Sequence, residues 1–248
     1  MERVTIPVLQ EMKRTGRKIV AVVGWDFQIA RIADRAGVDI ISVGDSVGIN
    51  LWGREDERDV TVDEMVLVCR AVRKGTTRAL VSCDFPYGPF QQGIDSAVAA
   101  ASRLINEGGA DIVKVDGAAD FPETIAAIVR AGIPVFAQFG TPAPNPEATD
   151  KFVSSAKRLE EAGASLIDFI HSGPVAGPAV VNAVSIPVIG GLGGGPWLDG
   201  RLRRVDAAIG YAAGTLDANA SNYANIARIT LGALTAYAED VRAGRQIK

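Results

Sequence analysis

The sequence predicts a (β/α)8 TIM barrel closed by a C-terminal helix, and three observations carry that prediction. Short runs rich in valine and isoleucine alternate with longer amphipathic runs, the pattern of parallel strands covered by helices. Seven or eight such units in 248 residues favour a barrel over an open doubly wound sheet, because an α/β barrel uses about 250 residues as one domain. A phrase also recurs: Ala36-Gly-Val-Asp-Ile-Ile41, Gly108-Gly-Ala-Asp-Ile-Val113, Ala131-Gly-Ile-Pro-Val-Phe136 and Ala162-Gly-Ala-Ser-Leu-Ile167. Each reads as a glycine ending a helix, followed at once by a strand, which is the repeat that equivalent barrel units would show. Residues 1–248 are therefore expected to form a single domain.

The elements follow in order. Lys18 to Gly24 reads as the first strand, and Phe27 to Ala36 as a helix stopped by Gly37. Asp39 to Gly44 is the second strand. Thr61 caps a helix that runs through Lys74, with Glu64 three residues on as a capping box and Gly75 after its end. Ala79 to Asp84 is the third strand, and Ile94 to Glu107 a helix broken by two glycines. Asp111 to Asp116, Pro134 to Phe139 and Ser165 to His171 are strands four to six, separated by helices over Pro122 to Ala131 and Ala148 to Ala162. A short helix spans Val175 to Val184, and Ile186 to Gly190 is the seventh strand. Leu202 to Asp206 is a weak candidate for the eighth. Ser221 to Gly244 closes the chain as a long helix with Ala, Ile and Leu at helical spacing.

Composition narrows the function. The net charge is 26 − 29 = −3, so no basic field draws nucleic acid or anionic lipid. No apolar run reaches the roughly 18 residues of a membrane span. The opening Met1-Glu-Arg-Val-Thr-Ile-Pro7 lacks a basic-then-apolar leader pattern, which makes the cytoplasm the expected location. Two cysteines, Cys69 and Cys83, give neither a disulfide framework nor zinc spacing. Cys83 reads as a small buried side chain. The lone histidine, His171, excludes a multi-histidine metal site and leaves little room for Ser-His-Asp chemistry.

A barrel places its chemistry at the C-terminal ends of its strands. There stand Asp45 and Ser46 after strand two, Asp84 after strand three, Lys114 and Asp116 on strand four, Gln138 on strand five, and Asp168 on strand six. Strand alternation aims Asp168, Ile170 and Ser172 to one side, and Phe169 and His171 to the other. One strand-end aspartate is explained by capping the following loop. Asp45, Asp84 and Asp116 together with Lys114 are more than capping needs. Buried carboxylates need a compensating cation or hydrogen bonds. With oxygen donors alone, the fitting ion is hard: Mg²⁺, Mn²⁺ or Co²⁺. Such an ion polarises a 2-oxo acid, and Lys114 suits its carboxylate or its developing oxyanion. The glycine run Gly190 to Gly195 leads into Pro196-Trp197 rather than a helix, so it is no dinucleotide fingerprint. It reads either as a plain loop or as a close approach to a ligand. His171 reads either as a hydrogen-bonded structural residue or as a catalyst.

At these residues the sequence resembles the ketopantoate hydroxymethyltransferase family, within the phosphoenolpyruvate mutase and isocitrate lyase superfamily. The resemblance runs through Thr5-Ile-Pro-Val-Leu-Gln10, Trp25-Asp-Phe27, Val43-Gly-Asp-Ser-Val-Gly48, Val60-Thr-Val-Asp-Glu-Met65 and Val72-Arg-Lys-Gly75. It continues in Asp84-Phe-Pro-Tyr-Gly88, Ala110-Asp-Ile-Val-Lys-Val-Asp116, Ile186-Pro-Val-Ile-Gly190 and Ala236-Tyr-Ala-Glu-Asp-Val-Arg-Ala-Gly244. It implies hydroxymethyl transfer from 5,10-methylenetetrahydrofolate to 2-oxoisovalerate, with Mg²⁺, in a homo-oligomer that is a decamer. It implies that Asp45 and Asp84 hold the metal, with Asp116 where the family has glutamate, and that Ser46 and Lys114 hold the 2-oxo acid. Three departures stand out. Gln138 occupies the histidine place of the strand-five motif, the next loop is shortened to Thr141-Pro-Ala-Pro-Asn-Pro146, and Ile170 occupies the place of the family's base. Asp168 and His171 are the candidates to replace that base. Two other readings remain: a superfamily-type lyase or aldolase on a 2-hydroxy or 2-oxo acid, and a non-catalytic barrel used for binding.

Overall fold

The structure is a computed structural model that describes residues 2–192, 194–217 and 222–245. Eight parallel strands close into a barrel in sequence order. They are β1 (Ile19–Val23), β2 (Ile40–Val43), β3 (Leu80–Asp84), β4 (Ile112–Val115), β5 (Val135–Gly140), β6 (Leu166–Ile170), β7 (Val188–Gly190) and β8 (Gly200–Arg204). The helices are α1 (Ile6–Arg14), α2 (Phe27–Arg35), α3 (Val47–Asn50), α4 (Val62–Gly75), α5 (Tyr87–Gln91), α6 (Ile94–Asn106), α7 (Pro122–Arg130), α8 (Thr149–Glu161), α9 (Ala176–Ala183), α10 (Val205–Ile209) and α11 (Ile226–Arg242). The residues fall into two compact units. Met1–Arg203 carries the barrel but for the last residue of β8, and Arg204–Lys248 carries α10 and α11.

Period-two alternation sorts the strand residues. Ile41, Val81, Val113, Val135, Ile167 and Val188 face outward into the layer shared with the helices. Ile40, Leu80, Ile112, Phe136, Leu166 and Ile189 face inward and form one apolar plug. Leu9 and Met12 of α1 join that plug. The Val4 amide donates to the Arg78 carbonyl at 2.8 Å, which ties α1 to the N-terminal end of β3. One inward step further along β2 to β6 the row turns polar, with Ser42, Ser82, Lys114, Gln138 and Asp168, and Asp84 stands one step beyond Ser82. Register brings these into neighbouring pairs: Ser42 with Ser82, Asp84 with Lys114, and Gln138 with Asp168. The barrel is thus apolar at its base and ionic toward its C-terminal end.

The capping box at the start of α4 forms as expected, with the Thr61 hydroxyl on the Glu64 amide and the Glu64 carboxylate on the Thr61 amide. Glu64 also pairs with Arg54, whose guanidinium holds the carboxyl down at about 2 against burial and with help from Thr61. Asp34 secures the entry to β3. Its carboxylate accepts from the amides of Thr77, Arg78 and Ala79 and from the Thr77 hydroxyl, at 2.7–3.1 Å. Burial pushes its carboxyl up, but these four donors outweigh burial and leave it below the ordinary value.

Several elements differ from the sequence reading, among them the short helices α3, α5 and α10, which it did not include. α1 is an additional helix; Pro7 sits in its first turn, where no intrahelical N–H is needed. The eighth strand is Gly200–Arg204, two residues earlier than expected. Its Gly200 and Leu202 are buried while Arg201 and Arg203 are exposed, so it lacks the valine-rich signature of its neighbours. β6 ends at Ile170, because His171 takes a left-handed φ of 47°. The final helix begins at Ile226, and the expected start at Ser221 lies outside the described residues.

β8 meets β1 across the last seam, where the Ile19 amide donates to the Asp199 carbonyl at 2.9 Å. A Cβ on Gly200 would collide with the Ile19 carbonyl oxygen. Gly200→Ala is therefore expected to cost about 1–3 kcal/mol, the range for overpacking a well-packed interior. The check is the urea midpoint, and an unchanged midpoint would show that the seam has room for a methyl group.

Candidate active site

The polar inward row and the loops just beyond it form one ionic group at the C-terminal end of the barrel. Lys114 stands at its centre, on β4, with a side chain only 7% exposed. Its ammonium lies 3.3 Å from Asp84 Oδ2 and 3.8 Å from Asp168 Oδ2. Burial alone would favour the neutral amine. Asp84, Asp168, Asp116 and Asp45 outweigh it and raise the lysine above its ordinary value, so it stays a cation.

Each carboxylate has its own anchorage. Asp84, at the end of β3, accepts from Lys114 on one oxygen and from the Ser42 hydroxyl at 3.2 Å on the other. Burial raises its pKa despite Lys114, and the Asp116 charge adds to the rise. Asp168, on β6, is 1% exposed. It accepts the Gly191 amide at 2.8 Å on Oδ1, and burial raises it to about 6 against the pull of Lys114 and that amide. Asp45 follows β2 and is half-buried. Burial and then the Asp84 charge push it up to about 8, with smaller contributions from Glu57 and Asp116. Asp116 is exposed and acts on the group through its charge. Among the described residues, no three histidine, cysteine, aspartate or glutamate side chains are gathered into a metal-binding cluster. Asp45, Asp84 and Asp116 are thus an open, electrostatically linked set rather than a closed ligand shell.

Local structure holds these groups in place. The Trp25 indole donates to the Gly44 carbonyl at 3.0 Å, immediately before Asp45. Any side chain at Gly44 would crowd Val23 and the Ser46 hydroxyl. Ser46 starts α3, and Asn50 Nδ2 donates to its carbonyl at 2.7 Å. Within the glycine run, the described glycines pack closely. Gly191 supplies the amide on Asp168, and Gly195 and Gly177 leave room for the Trp197 ring. That ring's Nε1 donates to the Ser172 hydroxyl at 3.0 Å.

The structure therefore brings together Asp45, Asp84, Lys114 and Asp168, with the Asp116 charge acting on all four. Gln138 is half-buried beside Asp168 in the register. The alternation expected for Ser172 and His171 does not apply, because β6 ends before them. Ile170 is half-buried at the strand end, packed under Gly140. Three participants were not singled out from sequence. Ser42 and Ser82 are fully buried hydroxyls in the inward row. The signal for Ser82 is its place two residues before Asp84 on the same strand. Glu57 is the third: burial raises its carboxyl, followed by the charges of Asp116 and Asp84. Its signal is the unbroken charged run Arg54 to Asp59.

Comparisons with known proteins identify the family. The sequence pattern of the ketopantoate hydroxymethyltransferase family matches residues 3–246. The chain is 38% identical, over 96% of both proteins, to the 3-methyl-2-oxobutanoate hydroxymethyltransferase of Cyanothece sp.. Among solved structures, it is similar to 2,3-dimethylmalate lyase, a PEP mutase/isocitrate lyase superfamily member. The TM-score there is 0.65 at 15% identity, covering 99% of this chain and 97% of that one. It is also similar to phosphonopyruvate hydrolase in complex with oxalate and Mg²⁺, with a TM-score of 0.59 at 16% identity, covering 97% and 88%.

Lys114 is the counter-charge for two buried carboxylates. Lys114→Met is expected to destabilise the fold by about 3–5 kcal/mol at pH 8, the usual effect of leaving a buried charge unpaired. Asp84 and Asp168 already titrate above their unfolded values, and more so without the lysine. The folded variant then binds protons more readily than the unfolded chain, so its loss of stability shrinks as pH falls toward 5. Urea denaturation at pH 8 and pH 5 checks this; an equal loss at both would show that the lysine does not neutralise these groups.

Proposed function

This chain belongs to the ketopantoate hydroxymethyltransferase family and is an enzyme, and on that premise we propose that it forms a carbon–carbon bond at C3 of a 2-oxo acid. The observation that carries the reading is the line Asp84–Lys114–Asp168, a buried cation between two carboxylates of raised pKa. One carboxylate serves a metal and the other a proton. The name of the Cyanothece relative supports 3-methyl-2-oxobutanoate as the substrate; 5,10-methylenetetrahydrofolate is the one-carbon donor that the family resemblance implies.

The residues present fit a hard divalent cation. Asp45, Asp84 and Asp168 outnumber Lys114; burial lifts all three carboxyl pKa values, and the charge of neighbouring carboxylates adds to the rise. Asp45 and Asp84 would hold the ion, with Asp116 at the edge of the group, and substrate and water oxygens would complete the shell. A protein of the same fold was solved with oxalate and Mg²⁺, which supports the pairing of a 2-oxo-type ligand with this ion. When bound, Mg²⁺, Mn²⁺ or Co²⁺ supplies Lewis acidity to the substrate carbonyl and so acidifies the C3 proton.

The chain does the rest. Lys114, fixed as an ammonium, binds the carboxylate or carbonyl oxygen and stabilises negative charge that develops there. The Ser46 hydroxyl and the Gln138 amide hold the 2-oxo acid from either side. Asp168 removes the C3 proton. Its pKa of about 6 suits a base near neutrality, and its Oδ1 is already held by Gly191. The electron pair left on C3 attacks the methylene carbon of the donor; both C–N bonds from that carbon to the folate break, the C3 proton and one proton of a water pass to the two folate nitrogens, and the rest of the water becomes the hydroxyl group. Ile170 stands in the family's base position and has no proton to exchange, which is why the role falls to Asp168. His171 is the second candidate; its left-handed backbone turns it out of the strand pattern.

The test is exchange of the C3 proton of 3-methyl-2-oxobutanoate in D₂O with Mg²⁺, followed by NMR. Asp168→Asn should slow it by about 10²–10⁴, the usual weight of a general base, while His171→Gln keeps it. The rate should rise with pH and level off above a midpoint at or below about 6, because Asp168 must lose its proton and a bound cation lowers its pKa further. The reverse pattern would move the role to His171, and full exchange in both variants would overturn the assignment.

We also propose a homo-oligomer, a decamer by the family resemblance. Ile229, Leu231, Leu234, Tyr237 and Val241 of α11 are exposed, more apolar surface than one helix ordinarily shows to water. Light scattering should give a multiple of 26.0 kDa; the monomer mass at micromolar concentration would overturn this.

A further inference from the structure

We propose that Ser42 is a positioning residue for Asp84: its buried hydroxyl fixes the carboxylate's orientation so that Asp84 presents a set face to the cation. This rests on the reading of Asp84 as a cation-holding group. Ser42 lies on β2 and is 0% exposed. Its Oγ is 3.2 Å from Asp84 Oδ1, while Lys114 Nζ is 3.3 Å from Asp84 Oδ2. The two oxygens of one carboxylate are therefore gripped by two different strands, β2 and β4. The aspartate χ2 torsion is otherwise soft and broad. With a donor on each oxygen, rotation breaks both bonds.

The cost of these hydroxyls points to the same role. A buried hydroxyl is unfavourable unless hydrogen-bonded, and the residues beneath Ser42 and Ser82 in the inward row are Ile40 and Leu80. An alanine or valine in either place would continue the apolar plug. The two serines instead lie 3.4 Å apart, side by side in the register. A hydroxyl has one proton. An ionised carboxylate only accepts, so the Ser42 proton goes to Asp84, and Ser82 is left to donate to Ser42. The chain Ser82–Ser42–Asp84 thus runs in one direction. Each carboxylate oxygen has two lone pairs, so each keeps one after Ser42 and Lys114 are satisfied. Those are the ones free for a cation.

The experiment measures Mn²⁺ binding by calorimetry on the intact protein and on Ser42→Ala, Ser42→Thr and Ser82→Ala, with crystal structures of the wild type and Ser42→Ala. Removing the hydroxyl should weaken binding by about 10–100-fold, the usual effect of losing a partner that orients a metal ligand. The threonine, which keeps the hydroxyl, should restore it. Ser82→Ala removes the hydroxyl behind Ser42 without touching Asp84, and should weaken binding less than Ser42→Ala does. The Ser42→Ala crystal should show Asp84 rotated about χ2. Equal Mn²⁺ affinity in wild type and Ser42→Ala, with Asp84 unmoved, would overturn the proposal while leaving the metal reading intact. A wild type that binds no Mn²⁺ would instead end the metal reading. Ser42 would then stand if Asp84 rotates in the variant crystal and fall if it does not.

Discussion

One ammonium faces more negative charge than it can offset, and the site is arranged around that imbalance. Lys114 is buried between Asp84 and Asp168, with Asp45, Asp116 and Glu57 within electrostatic reach. In a low-dielectric interior such a surplus is expensive unless a hydrogen bond, a proton or a cation relieves it. The hydrogen bonds are visible in the side chains, and the donor set bears on the other two. Ser42 and the Gly191 amide supply hydrogen bonds. The raised pKa values of Asp45 and Asp168 show how readily protons would enter. The oxygen-only donor set defines which cation would fit.

The barrel makes this arrangement affordable by separating its layers. The plug formed by Ile40, Leu80, Ile112, Phe136, Leu166 and Ile189 is continuous with α1, so the base of the barrel contributes burial without any polar interruption. The ionic row lies one pleat above, on the same strands. The strands that hold Asp84, Lys114 and Asp168 are therefore anchored by side chains that take no part in the chemistry. Parallel pairing in consecutive register, Asp84 beside Lys114 and Gln138 beside Asp168, fixes their spacing more tightly than a loop could. The loops add precision at single points: Trp25 on Gly44 before Asp45, and Gly191 on Asp168.

The strand-six side of the barrel shows the same layering. At the end of β6, Ile170 is half-buried, and Asp168, one inward step below, is held by Gly191 and faced by Lys114. Gln138 pairs with that same aspartate across β5 and β6. The polar groups on this side of the barrel sit one step inside the strand end.

The sequence by itself determines the barrel, seven of its eight strands to within two residues at most ends, the α4 capping box, and the strand-end set of Asp45, Asp84, Lys114 and Asp168. Local signals suffice there, because apolar runs, helix-ending glycines and period-two alternation each act over a few residues. β8 is shifted because its buried face is only Gly200 and Leu202, with arginines between them. Other features depend on strands and loops meeting across the barrel. Residues 40 apart place the Ser42 hydroxyl near Ser82, and residues 42 apart place it on Asp84; 23 residues separate the Gly191 amide from Asp168. The end of β6 turns on one backbone angle at His171, which no side-chain pattern encodes. Which carboxylates share Lys114, and which oxygen each offers to it, is decided by closure of the barrel alone, because only closure sets the distances on which charge and hydrogen bonding depend.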